Sequence, residues 1–432
     1  MPANPPRHRR AFSAKLIVLA GSCALSLIAL EVFCRFIGFA PPITPPPPDT
    51  SELHSVDFIR EAQEKNWIHW PSSHTVTETD EHPTGKIVFE RNECSFREDG
   101  ETPIEKPPET IRIAVMGDSH TDGAVWNHES YANLLEVSLN DESTANTFDV
   151  INAGFSTFSP YQELWVYQKV VQRFDPDCLI VAFYAGNDLW DLTASDRVHL
   201  QRQDGAFVHV DPASNEPPPP DEAVPGVGRL AKNFLRDRLA IYHALANVRS
   251  LRQMFGNVPE VDQQKELSEE AAAISSGGYW QSLGQAQYFK QHPSVWDECG
   301  SMMRFILEQF QRETQSQNVE LLLLVIPSIR QIHPHTDEVA YQKAASHLQL
   351  SAEDLLIDDR ASELVIRLAA DLDIQIIDLR PSLRAAAERA PTEELYWRFD
   401  HHISASGHRV VAQELQNALQ HKLELPRQPS EQ

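Results

Sequence analysis

The sequence predicts an α/β fold: a five-stranded parallel sheet with helices on both faces, preceded by one membrane-spanning helix. Three observations predict it. Five short apolar runs, at 111–116, 148–152, 179–184, 319–326 and 374–379, look like buried strands. Segments of helical periodicity separate them, and strands alternating with helices fold as a parallel sheet covered on both sides. Ahead of these lies a nearly unbroken apolar stretch at 15–39. About 20 helical residues suffice to cross a bilayer.

The apolar stretch comes first in the chain. Arg7, Arg9, Arg10 and Lys15 precede it, so the positive-inside rule keeps 1–14 as a cytoplasmic tail and exports the chain beyond residue 39. The expected location is the inner (cytoplasmic) membrane, single-pass, with the main domain periplasmic. A cleaved signal peptide is disfavoured, because the run is long and no small-x-small site closes it. Cys23 is a poor lipoprotein site, since Ala20 stands where a large aliphatic residue is expected. Residues 40–50 include four consecutive prolines at 45–48 and form a stiff linker. Residues 51–108 are an amino-terminal extension expected to pack on the main domain, which runs from 109 to 425 and leaves a short tail at 426–432.

Within that domain, helical periodicity marks 131–139, 162–174, 302–310, 364–372 and 407–423, the last with Val410, Val411, Leu415 and Leu419 on one face. Residues 192–285 break the alternation with prolines at 217–220 and scattered charge. They form an insertion, either a cap over the site or a decoration.

Composition excludes several functions. A formal net charge of −25 leaves no basic stripe for phosphates, so nucleic acid is not a partner. The five cysteines contain no CxxC, and His333 and His335 have no third ligand nearby, so no metal site is expected. Cys94 and Cys299 could pair outside the cytoplasm, but sequence does not give their separation. No Walker or GxGxxG loop follows the first strand, which argues against a nucleotide.

Four motifs carry candidate chemistry. Gly117-Asp118-Ser119-His120 follows the first strand, Asn152-Ala153-Gly154-Phe155-Ser156 the second and Gly186-Asn187-Asp188 the third. Asp400-His401-His402 precedes the last helix, with Ser406 as its expected cap. Each alone reads as a turn, because Gly, Asp, Asn and Ser favour turns. Together they occupy the carboxyl ends of three successive strands, where open α/β sheets place their sites.

In this order and context the motifs resemble those of the SGNH or GDSL hydrolases, in particular membrane-anchored bacterial members. The resemblance covers roughly 90–190 and 374–423, including the piece from Arg91-Asn92 to Phe96-Arg97. It implies a three-layer α/β/α, flavodoxin-like sandwich and a serine esterase or acyltransferase that needs no cofactor. Ser119 would be the nucleophile, His402 the base and Asp400 its partner. The oxyanion hole would be the Ser119 and Gly154 backbone N–H groups with the Asn187 side chain. The spacing from His402 to Gly407 selects His402 over His401, although Asp400-x-His402 is one residue shorter than the family's usual spacing. Asp118, Asp188 and Trp190 are candidates for the substrate rim, and Trp126 and Tyr184 flank the same motifs. His120 takes no role. The implied partners are an acyl-ester substrate, with acetylated carbohydrate or lipid as candidates, and the membrane through the amino-terminal helix. The alternative is a catalytically silent or partner-dependent binding module in cell-envelope polysaccharide modification.

Overall fold

The structure, a computed structural model, describes residues 57–64, 68–69, 73–142, 146–194, 198–211, 279–334 and 338–423. The expected membrane helix at 15–39, its flanking tail and linker, most of the 192–285 insertion and the tail at 426–432 lie outside the described residues. Among the described residues no helix is long and apolar enough to cross a membrane. The chain divides into two units, Met1–Pro48 with Glu216–Gln264 and Asp49–Asn215 with Lys265–Gln432, and every described residue belongs to the second.

That unit opens with helix α1 (Asp57–Glu64), which buries Ile59 and Ala62, and an antiparallel hairpin of β1 (His74–Glu78) and β2 (Lys86–Glu90). The central sheet then begins. Its strands are β3 (Thr110–Gly117), β4 (Thr147–Gly154), β5 (Cys178–Tyr184), β8 (Glu320–Ile326) and β9 (Gln375–Asp378), all parallel in the order β4-β3-β5-β8-β9. All five expected runs are strands of one sheet, no end displaced by more than two residues. Between β5 and β8 the described parts of the insertion include the hairpin of β6 (His199–Gln203) and β7 (Ala206–Val210).

Alternate side chains along each strand enter opposite cores. Ala114 and Met116 of β3 face α4 (Pro160–Lys169), α7 (Pro293–Gln317) and α10 (Ile357–Asp371). Ile113 and Val115 face α3 (Tyr131–Glu142), α11 (Arg380–Arg389) and α12 (Ala405–Leu423). The result is three layers. Two shorter helices, α8 (Ile329–Ile332) and α9 (Glu338–His347), lie in sequence between β8 and α10. The helices are longer than their apolar stripes alone indicated: 302–310 is the middle of the 25-residue α7. The expected helix at 162–174 is instead α4 followed by a 3-10 turn, Val171–Phe174.

Helix α6 (Tyr279–Gln291), which returns from the insertion, is fastened through a buried carboxylate. Asp358 of α10 accepts from Ser282 Oγ and Ser328 Oγ, both at 2.6 Å, and from Gln285 Nε2 at 3.3 Å. The Gln285 amide also reaches the Ala185 carbonyl at 3.1 Å. Burial pushes Asp358 up to about 6. Cys94 and Cys299 are separate, buried free thiols, both pushed up to about 12 by burial.

Candidate active site

The strand order reverses at β3, since β4 lies on one side of it and β5 on the other. The loops after these three strands therefore meet at a crevice. After β3, Asp118 caps the four-residue helix α2 (Ser119–Asp122), its carboxylate accepting from the His120 N–H at 2.9 Å. A Cβ on Gly117 would lie 2.1 Å from Thr121 Oγ1, so only glycine permits this turn. Ser119 is left half-buried at its tip.

The acid–base loop precedes α12. Trp397 donates its N–H to the His402 carbonyl at 2.8 Å, and His401 donates to the Trp397 carbonyl at 3.0 Å. His401 takes the left-handed conformation, at φ 66°. Ser404, not Ser406, caps the helix: its Oγ accepts from the Gly407 N–H at 3.2 Å, while Ser406 falls within the first turn.

Across 283 positions of sequence, His402 Nε2 comes to 2.8 Å from Ser119 Oγ. On the other side of the ring, Nδ1 hydrogen-bonds Asp400 Oδ1. A carboxylate can only accept, so Nδ1 carries the proton and the Nε2 lone pair receives the serine hydroxyl. Burial disfavours the imidazolium. The bond and charge of Asp400, with Asp118 and Asp122 behind it, outweigh burial and hold His402 above its ordinary value.

Gly154 and Asn187, the other two expected positions, lie at the same crevice, each with a donor already engaged. A Cβ on Gly154 would stand 2.3 Å from the Asp122 backbone nitrogen, so the serine turn packs directly against this glycine. The Gly154 N–H donates to Asn152 Oδ1 at 3.1 Å, because the buried Asn152 amide folds back over its own strand end. Asn187 commits one amide hydrogen to Asp191 Oδ2 at 2.7 Å, and its Oδ1 is buried without a hydrogen-bond partner in the protein.

Two of the expected rim residues are corrected by their burial. Asp118 and Asp188 are 2% and 0% exposed. Asp188 closes the turn after β5 by accepting from the Tyr184 N–H at 2.7 Å, leaving it no surface to offer a substrate. Trp190 is half-buried and packs on α6, its ring 3.0 Å from where a Gly284 Cβ would be. Tyr184 is buried, and Trp126 donates its indole N–H to the Lys86 carbonyl at 3.2 Å.

Several further neighbours complete the site. His120 is buried, stacked 3.6 Å over Tyr184 and 4.8 Å from the His402 ring. Burial first, and then His402, depress it well below the usual range, so it is neutral. Glu163 on α4 is fully buried with neither oxygen paired in the protein. Burial and the charges of Asp118 and Asp191 push it far up. Asp191 (on α5, Asp188–Asp191) rises to about 7 through burial and the charge of Asp118. Below the serine, Asp122 would be lifted by burial, but Arg91, Arg97 and the Ser156 hydroxyl hold it below the usual carboxylate range. Arg97 is wholly buried, bonding the carbonyls of Asp122, Gly123 and Val125 at 2.7–3.0 Å and Asn127 Oδ1 at 2.7 Å. His335 lies outside the described residues. Among the described ones no three His, Cys, Asp or Glu side chains are grouped to hold a metal.

Residues 292–432 match the family described as "SGNH hydrolase-like domain, acetyltransferase AlgX". The match takes in Asp400 and His402 but not Ser119. No curated protein matches the chain. Solved structures that resemble it include the acetyl xylan esterase AlAXEase, at 15% identity and TM-score 0.36, covering 72% of this chain and 100% of that one. A lipase/acylhydrolase from Enterococcus faecalis aligns at 13% identity and TM-score 0.34, covering 74% and 100%. A catalytic mutant of Axe2, an acetylxylan esterase from Geobacillus stearothermophilus, aligns at 13% and 0.36, covering 73% and 97%. At that similarity these structures add nothing to what the sheet and the loops already establish. The matched carboxyl-terminal segment takes in the last motif, and over 292–432 the chain is similar to an SGNH hydrolase-like domain.

Proposed function

We propose that the protein is a serine esterase or O-acyltransferase that cleaves acyl esters, with O-acetyl groups on glycans as its substrate class. The observation that carries this reading is the continuous Asp400–His402–Ser119 hydrogen-bonded chain, with His402 Nε2 at 2.8 Å from a half-buried serine. Ser119 Oγ attacks the ester carbonyl as His402 Nε2 takes its proton. Asp400 orients the imidazole and stabilises its cation. The carbonyl oxygen becomes an oxyanion, received by the Ser119 N–H at the head of α2 and by the Asn187 amide once it turns from its carboxylate partners. Collapse expels the alcohol, protonated by His402, and leaves an acyl-serine. Water, or the hydroxyl of an acceptor sugar, then enters by the reverse sequence. The acetyltransferase in the description of the matched family supports acetyl chemistry.

The apolar 15–39 segment, with its basic flank, supports a tethered domain outside the cytoplasm. Retention of the full chain in carbonate-washed membranes, and its digestion by protease only from the outer side, would test this.

A second reading rests on a specific observation. The Gly154 N–H and one Asn187 hydrogen are already bonded to Asn152 and Asp191. Such a site suits a silent or partner-dependent module, completed only when a bound glycan or protein rearranges those two bonds.

A fluorophosphonate probe and a short-chain aryl ester, applied to the full chain, separate the two. Labelling at Ser119, lost together with turnover in a folded Ser119→Ala variant, is the expected result. A folded wild type that neither labels nor turns over would favour the silent module.

A further inference from the structure

We infer that Glu81 is a positioning residue for the Asp400–His402 pair, so that the β1–β2 hairpin of the amino-terminal extension holds the acid–base loop in place. Glu81 lies in the turn of that hairpin. Its two oxygens take two successive backbone donors of the loop: Oε1 accepts from the Phe399 N–H at 2.7 Å and Oε2 from the Asp400 N–H at 3.0 Å. Those residues are 318 and 319 positions away in sequence.

The loop has need of such a hold. Phe399 is 59% exposed and the Asp400 side chain 46%, so little packing covers its outer side. The left-handed His401 stands between the two triad members. Neither N–H has a helix or strand to satisfy it, and a carboxylate that accepts both N–H groups fixes the loop's direction as well as its distance.

The hairpin is itself anchored to the serine side. His82, next to Glu81, is buried against Trp126 and Trp397 and bonds Glu129 at 3.0 Å. Trp397 in turn donates its indole N–H to the Ala124 carbonyl at 2.8 Å, just beyond α2. Past the end of β2, Arg91 and Arg97 grip Asp122, the last residue of α2. One stretch of extension thus holds both halves of a pair that meets from opposite ends of the domain.

The inference rests on the triad reading, and its test is chosen to separate the two. The full-length protein carrying 13C-labelled histidine is titrated by NMR, with the His402 signal assigned by its loss in His402→Gln. His402 faces Asp400, Asp118, Asp122, His120 and His408. Loosening the loop weakens the Asp400 contact, leaving burial to depress the imidazole. Glu81→Ala is therefore expected to lower the His402 pKa by about one unit or more. Ester turnover should fall about ten- to a hundredfold with KM little changed. Glu81→Gln keeps one acceptor and should fall between the two. Equal shifts in Glu81→Gln and Glu81→Ala would mean that only the charge matters, and would overturn the clamp. So would an unchanged His402 pKa in a folded Glu81→Ala protein. If Glu81→Ala does not fold, Glu81→Asp, which keeps the charge but shortens the reach, takes its place: a lowered His402 pKa is expected, and an unchanged one overturns the clamp. The titration needs no turnover, so an inactive wild type would strike the esterase reading alone.

Discussion

At the scale of single residues, the site is set by which groups are held charged. His402 is lifted above its ordinary value of 6.5 by Asp400, despite its burial. A general base works only when neutral, so kcat/KM should rise with pH through an apparent pKa above about 6.5, the ordinary imidazole value. Asp400→Asn removes what lifts it. The acid limb should then move to lower pH while kcat falls on the order of a thousand- to ten-thousandfold, as in other triads. A limb that stays in place would dissociate Asp400 from His402. The residues that sequence misreads share one reason. Asp118 and Asp188 are polar and flank motif positions, which reads as a rim, yet both are buried, and burial with neighbouring carboxylates raises the pKa of each. His120 has no pattern of its own, because its partners Tyr184 and His402 come from distant elements.

At the scale of elements, the turns matter more than the strands they end. Gly154 is tied to α2 by contact: a methyl there would meet the Asp122 nitrogen at 2.3 Å, and backbone cannot step aside as a flexible side chain can. Gly154→Ala should therefore displace the serine turn. The expected result is loss of about 1–3 kcal/mol in thermal or urea unfolding, with a larger loss of turnover. Full activity in that variant would refute the close packing. The five sheet strands were legible because each carries a short apolar-rich run, most of it buried. The β1–β2 hairpin was not: β1, His-Thr-Val-Thr-Glu, is exposed along its whole length and carries no burial signal. The helix cap was misplaced for a related reason. Ser404 and Ser406 are chemically equal candidates, and only the backbone shows which one faces the first turn.

At the scale of the whole molecule, buried acids make stability depend on pH in two opposed ways. Asp122, held low by two arginines, stabilises the fold above its unfolded value and is lost as pH falls. Asp358 behaves oppositely. Its folded pKa of about 6 lies above the unfolded value, so the unfolded chain releases this proton first. Its contribution is fully present below about pH 4 and disappears as pH rises through 6. The swing is on the order of 2–3 kcal/mol. Asp358→Asn should flatten the unfolding free energy between about pH 4 and 6 in chemical denaturation. An unaltered slope would show that Asp358 is ionised in the folded state. Sequence order alone located the crevice, because three motifs each end a strand. It did not locate the grip of Glu81 on the loop at Phe399 and Asp400, since nothing in a linear pattern links residues 318 positions apart.

The Ser119–His402 contact also has a meaning in time. A ribosome that has just finished the serine turn still has 283 residues to add before it reaches the histidine. At about 5–20 residues per second that interval is roughly a quarter of a minute to a minute. Throughout it, the nascent polypeptide carries a serine with no base to activate it. On the proposed esterase reading, the protein is born dormant and becomes reactive only once the loop that carries His402 has docked. On that reading, a message cut anywhere before the codon for His402 yields a product without its proposed base, however well the earlier strands have paired.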